Sequence, residues 1–233
     1  MSKNLFSVVV VTALSFSAQA SVKGKVSFKG TAPKATELKM NADPKCKEAH
    51  KSPVLSETVV VNGNNTLKNV FVYIKDGLAQ KYPAPADTVT VKFDQKGCQY
   101  MPHVFGIQVG QTLEIINSDP TLHNVHAMPK VNPQFNVGMP KQGMVIKQKF
   151  QKPEIGAKVK CDVHPWMNAW ANVVEHPFYG VSDDKGAFEL KNVPAGKYTV
   201  VAWHEKLGTK EGTLTVEAGK DATLDFEFSD AGK

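Results

Sequence analysis

After residue 21 no stretch carries the periodicity of an amphipathic helix; the chain breaks instead into short runs separated by turns. Val22, Gly24, Val26 and Phe28 alternate with Lys23, Lys25, Ser27 and Lys29, the period of a strand with one solvated face. Strand-like runs recur at 70–74, 89–93, 104–109, 112–116, 145–150 and 169–174. Others lie at 179–182, 187–190, 198–203, 212–216 and 222–228, with Val59 to Val61 as a further short candidate. Asn62-Gly63-Asn64-Asn65, Gln95-Lys96-Gly97-Cys98 and Asp183-Asp184-Lys185-Gly186 supply turn chemistry between them, and Pro153 to Gly156 reads as another turn. Many short strands at this spacing predict an all-β chain built of sandwiches. Residues 35–55 are polar and read as a long loop or short helix. Residues 127–144, rich in Pro, Gly, Asn and Met, read as a long, loose connection.

The 233 residues suffice for two small domains. The first twenty have a basic Lys3, a mostly apolar Leu5 to Phe16, and Ala18-Gln19-Ala20 as a small-x-small cleavage site. This is the pattern of a signal peptide removed after Ala20. It leads us to expect a soluble periplasmic or secreted protein without a transmembrane anchor. All the basic charge is lysine, and loss of Lys3 takes the formal net charge from +6 to +5. No basic cluster is interleaved with aromatics and no arginine fork is present, which argues against nucleic acid.

Chemistry concentrates in Cys161-Asp162-Val163-His164-Pro165-Trp166-Met167. A thiol, an imidazole and a thioether fall within seven residues, a soft and borderline ligand set that favours copper. Pro165 argues against a helix interior, and a strand would send neighbours to opposite faces, so the three groups converge best on one tight loop. The fourth ligand must come from far away in sequence, and His123 is the candidate. Were Cys161 a metal thiolate, Cys46 and Cys98 would be left to pair as a disulfide. Ligation of another ion by Cys46 and His50 is the competing arrangement. A second copper site from His50, His103, His126 and Met128 stands against ordinary surface or hydrogen-bonded histidines.

Residues 88–174 resemble a cupredoxin, the blue-copper domain of plastocyanin and amicyanin. The resemblance rests on Val109-Gly110-Gln111-Thr112, on the strand ending at Asn117, on His123-Asn124 and on Cys-x-x-His-x-x-Met at 161–167. It implies a Greek-key sandwich holding one type 1 copper, with His123, Cys161 and His164 as strong ligands and Met167 as a weak axial one. Asn124 is implied to tie the first ligand's segment to the cysteine loop. The segments Ser182 to Phe188 and Leu190 to Tyr198 resemble a carboxypeptidase regulatory-like or transthyretin-like β-sandwich. Such repeats start with a Gly-x-Val strand, which here is Gly24-Lys25-Val26 at the other end of the chain. Residues 21–80 are therefore expected to join residues 177–233 in one sandwich with the cupredoxin inserted, three tandem pieces being the alternative.

The function expected is a periplasmic carrier of single electrons, with redox proteins docking on an apolar patch at the exposed edge of His164 beside Pro165 and Trp166. The alternative is a copper-binding, delivery or resistance protein, for which Met128, Met139 and Met144 would add accessible soft ligands. A structural sandwich in which copper is incidental is a third reading. Catalysis is not expected, because no repeated His-x-His pairs for a further copper cluster and no hydrolytic triad are visible.

Overall fold

The computed structural model describes residues 19–230. In chain order the elements are β1 (Ala20–Lys29), α1 (Pro44–Glu48), β2 (Phe71–Asp76), β3 (Val91–Lys96), β4 (Gln99–Met101), β5 (Val104–Gln108), β6 (Leu113–Asn117), β7 (His123–Met128), β8 (Phe135–Met139) and β9 (Val145–Gln148). They continue with β10 (Glu154–Lys160), β11 (Asn168–Val174), β12 (Tyr179–Val181), β13 (Ala187–Val193), β14 (Gly196–His204), β15 (Gly208–Val216), β16 (Ala222–Thr223) and β17 (Phe226–Ser229). The architecture is all-β and multi-sheet, relieved only by the five-residue α1 among the described residues. The expected signal peptide falls on residues 1–20, of which 1–18 lie outside the described residues. No described helix is long and apolar enough to cross a membrane.

Four sheets form. Two of them, in the orders β5-β11-β10-β7-β8 and β4-β3-β6-β9, enclose a core that includes Phe93, Tyr100, Ile107, Ile115, Val125 and Val159. The other two are β13-β1-β16, with β17 also on β1, and β12-β2-β14-β15. They enclose Val22, Val26, Ile74, Leu190, Val200 and Phe228. The N-terminal β1 is antiparallel to β13 and parallel to β16 and β17, while β2 is antiparallel to β12 and β14. Chain from before residue 80 and after residue 177 thus shares two sheets. Both groups of sheets obey one rule, apolar side chains alternating inward from each face.

The two cores meet at a seam of Phe71, Val104 and Val174, flanked by Trp170, Tyr179 and Trp203. The Trp170 and Trp203 rings meet edge to face at 5.7 Å. Gly106 of β5 lies under this seam, where a Cβ would come within 2.3 Å of the Tyr179 ring and 2.6 Å of Phe71. Only glycine lets the strand pass so close. Buried His103 adds a polar link by pairing with Glu205 at the end of β14.

Several expectations need correction. The segment 127–144 is not a loose connection: β7 runs to Met128, and β8 pairs with it from His123↔Met139 to Ala127↔Phe135. Phe135, Val137 and Met139 alternate with Asn136 and Gly138, a period obscured by the surrounding Pro and Gly. The turn expected at Pro153 to Gly156 is instead the start of β10, with a register shift between Glu154 and Ala157 where Gly156 takes φ +73. Val59 to Val61 leaves only an isolated bridge between Val61 and Leu67.

Cys46 and Cys98 form a disulfide, and Cys161 is free and buried. The bond joins α1 to the two-residue turn between β3 and β4, where Gly97 and Cys98 take φ of 61° and 52°. Two successive positive φ values suit a tight hairpin whose twist matches its strands.

His204 ends β14 at 1% exposure; its Nδ1 accepts from the amides of Lys206 and Leu207, and its Nε2 has no partner. Burial, offset in part by Glu205 and reinforced by His103, pulls its pKa down to about 4. A histidine depressed on folding binds its proton more readily in the unfolded chain, so stability is intact above the unfolded pKa near 6.5 and falls towards pH 4. Urea unfolding of the metal-free protein should lose up to about 3 kcal/mol across that window from this group. His204→Asn, which retains an acceptor for the two amides, should flatten the loss; an unchanged pH profile would remove His204 as its cause.

Candidate metal centre

The centre lies where three loops meet at one end of a sandwich. His123 opens β7, directly after a loop fixed by Asn117, whose Nδ2 donates to the carbonyls of Thr121 (2.9 Å) and Met139 (2.8 Å). Cys161 follows β10, and β11 begins at Asn168. Between them the chain closes on itself: the Cys161 amide donates to the Met167 carbonyl at 3.1 Å, and the Met167 amide donates to the His164 carbonyl at 2.9 Å. This tight loop brings residues three apart to one point, as the spacing requires. Ligand atoms of His123, Cys161 and His164 all lie within 4.8 Å of one another, and the three residues are 0%, 2% and 2% exposed. Met167 is equally buried and tied to the same loop by its backbone.

Hydrogen bonds around the rings decide which nitrogens face inward. His123 Nε2 donates to Asp119 Oδ2 at 2.9 Å, and His164 Nε2 donates to Asp43 Oδ2 at 3.0 Å. Both carboxyls sit below the usual range: burial opposes ionisation, but the imidazole and backbone amides outweigh it. An ionised carboxylate only accepts, so each Nε2 holds its proton and each Nδ1 turns a lone pair inward. The two Nδ1 atoms are 2.9 Å apart, and His164 Nδ1 is 3.8 Å from the Cys161 sulfur. Two lone pairs this close repel unless a proton or another cation is shared. Burial alone would lower the His123 pKa, yet its bonds to Asp119 and Cys161 raise it to about 9. The Cys161 thiol is held below its ordinary value, burial being outweighed by His123, Asn124 and the His164 amide. His164 is lowered by burial, only partly offset by Asp43.

Asn124 bridges the two ligand segments. Its Oδ1 accepts from the Cys161 sulfhydryl at 3.2 Å and from the Asp162 amide at 2.7 Å. Tyr100 hydroxyl donates to the Asn124 carbonyl at 2.5 Å, fixing the same strand from the core side. The sulfur also accepts from the His164 amide at 3.4 Å.

The structure differs from expectation at the His164 edge, which is covered rather than exposed. Asp43 caps α1 through the Lys45 amide (2.8 Å), accepts from Thr121 (3.0 Å), and takes the outer nitrogen of His164. The Cys46–Cys98 bond joins α1 to the β3–β4 turn. Trp166 is half-buried, with its indole N–H donating to the Cys98 carbonyl at 3.1 Å. Exposed apolar groups near the centre are instead Leu122, Val163 and Pro165.

The other histidines do not gather into a second copper site. His50 bonds the Gly97 carbonyl, His103 bonds Asn168 and Glu205, and His126 pairs with Asp162. Of the surplus methionines, Met139 is fully buried with its sulfur accepting from Gln95, and Met128 alone is exposed. Asp43 and Asp119 were missed as functional residues. Asp119 stands four before His123, a spacing that can bring a carboxylate to an imidazole. Asp43 carried no such signal, being 121 positions from His164.

A family model described as polysaccharide lyase family 4, domain II, matches residues 159–224. No curated protein matches the chain. Among solved structures it is similar to a Cu-containing nitrite reductase from Thermus scotoductus SA-01, at 24% identity over 42% of this chain, with a TM-score of 0.34. The chain spans only 26% of that enzyme's length. A purple cupredoxin from Nitrosopumilus maritimus matches at 22% identity over 35% of this chain and 97% of its own, with a TM-score of 0.31. An oxidised amicyanin variant matches at 20% identity over 44% of this chain and 97% of its own, with a TM-score of 0.34. These likenesses are to cupredoxin-type proteins, at low identity and over part of the chain, and assign no residue its role. The expectation that the chain is not an enzyme is corrected here: the similar proteins include a nitrite reductase, so an absence of catalysis does not follow from this likeness.

Removing the Asp119 carboxylate would strand three donors at once, His123 Nε2 and the amides of Gly97 and Cys98. Asp119→Ala should therefore cost about 3 kcal/mol in urea unfolding of the metal-free protein, and Asp119→Asn less. A loss below about 1 kcal/mol in the alanine variant would contradict the anchoring role.

Proposed function

We propose that the chain is a copper-binding, redox-active protein in which His123, Cys161 and His164 would hold the metal, with Met167 as a weaker fourth ligand. One observation carries the reading: two imidazole Nδ1 atoms and the Cys161 sulfur, all buried, converge within 4.8 Å of one another. That donor set fits copper, whose contribution when bound would be one-electron chemistry between Cu(I) and Cu(II). The chain's own residues supply the rest. Asp119 and Asp43 orient the rings, Asn124 fixes the sulfur, and Val125, Phe93 and Tyr100 belong to the core that keeps water out.

The finer reading is a single type 1 centre that carries electrons, on a Greek-key cupredoxin domain at residues 88–174 inserted into a sandwich of residues 21–80 and 177–233. The shared sheets of β1 and β2 with β12 to β17 support the insertion. Covering of His164 moves the docking surface for a redox partner towards Leu122, Val163 and Pro165. A second reading, copper handling, rests on the same donor set, because a thiolate and a thioether suit Cu(I). The Cys46–Cys98 disulfide suits an exported, periplasmic location.

One equivalent of Cu(II) should produce an intense visible thiolate-to-copper band, and Cys161→Ser should abolish it. A colourless wild-type complex, or a band that survives in the variant, would overturn the centre. With the band established, rapid loss of Cu(I) to a chelator would select copper handling, and retention with fast electron exchange would select transfer.

A further inference from the structure

We propose that Cys46 and Cys98, once reduced, form with His164 a second metal site that takes a soft monovalent cation, Cu(I). Ligand atoms of these three residues lie within 4.8 Å of one another, and the residues are 0%, 1% and 2% exposed. His164 therefore stands within reach of two sulfur groups, Cys161 in the centre described above and the cysteine pair beneath α1. The choice of copper rests on the copper reading of that centre; the geometry of the second site does not.

Both cysteines are held by contacts that do not pass through the sulfur–sulfur bond. The Cys98 amide donates to Asp119 at 2.7 Å and the neighbouring Gly97 amide to the other oxygen at 2.7 Å. The Cys98 carbonyl accepts from Trp166. Cys46 lies on α1, capped by Asp43, which is fastened to Thr121 and His164. Lys45 Nζ adds a bond to the Pro120 carbonyl at 2.5 Å. Reduction should thus leave two thiols facing an imidazole in a dry pocket.

The chemistry balances with a dithiol as reductant. Two electrons and two protons enter the Cys46–Cys98 bond, two thiols result, and the reductant leaves as a disulfide. Cu(I) then displaces thiol protons as it binds, and thiolates select it over harder ions. In the oxidised chain the pair has no thiolate to offer, so the site exists only in the reduced state. His164, shared by both sulfur groups, gives a buried centre a neighbouring point of capture.

The test uses the full chain carrying Cys161→Ser, which deletes the first centre. Its disulfide is reduced with a phosphine, the reductant is removed without air, and Cu(I) is titrated against a chromophoric chelator. Reduced protein should bind about one equivalent at least tenfold more tightly than oxidised protein, with a near-ultraviolet thiolate-to-copper absorbance. Adding Cys46→Ser and Cys98→Ser should remove both signals. Equal affinity in the two redox states, or binding that survives those substitutions, overturns the proposal. So does loss of the folded tryptophan signal on reduction, because the site requires cysteines that stay in place. Oxidised wild-type protein titrated alongside reports the first centre separately, so failure of either site is recognised without the other.

Discussion

Asp119 is the constraint on which the centre depends. One carboxylate accepts from His123 Nε2, from the Gly97 amide and from the Cys98 amide, while its own amide donates to Asn117. It thereby ties the end of β6, the β3–β4 turn and the first residue of β7 into one unit. The turn carries Cys98, which is bonded to Cys46 on α1, and Asp43 at the start of α1 bonds the second imidazole. Two carboxylates from distant parts of the chain end up behind two histidines, each fixing which nitrogen faces the sulfur.

The fold makes this possible by holding the loops at the ends of strands that are not neighbours in sequence. Parallel pairing of β3 with β6 and of β5 with β11 places the β3–β4 turn, the loop before β7 and the cysteine loop at one end of a packed sandwich. Antiparallel pairing of β7 with both β8 and β10 sets His123 at the start of β7 beside Cys161, which directly follows β10. A rigid, densely packed support of this kind keeps ligand groups near one geometry. The second pair of sheets reaches the centre indirectly, through the Trp170–Trp203 seam and the His103–Glu205 link, with His103 bonded to the residue that follows Met167.

Much of this was legible in the residues. Alternation and short apolar runs located most strands but not β4, β7, β8 or β10; a half-buried strand leaves a period of two whatever its partner. The spacing of Cys161, His164 and Met167 announced a loop centre, and an odd count of cysteines separated one thiol from a pair. What could not be read was contact between distant segments. Residues 35–55 showed no period, so nothing placed Asp43 over His164 and the imidazole edge was expected in the open. β8 was hidden because Gly138 and the nearby prolines read as loop, although Phe135, Val137 and Met139 kept the alternation. Met139 looked like a spare soft ligand, yet its position opposite His123 in the ladder makes it a core residue.

A metal in this chain should be held by one sulfur and two imidazoles rather than by surface groups. X-ray absorption at the copper edge, on the full chain loaded with one equivalent, tests it most directly. The spectrum should show a short copper–sulfur shell together with the multiple-scattering pattern of two imidazoles. A spectrum fitted by nitrogen and oxygen alone, or by sulfur without imidazole, would contradict it.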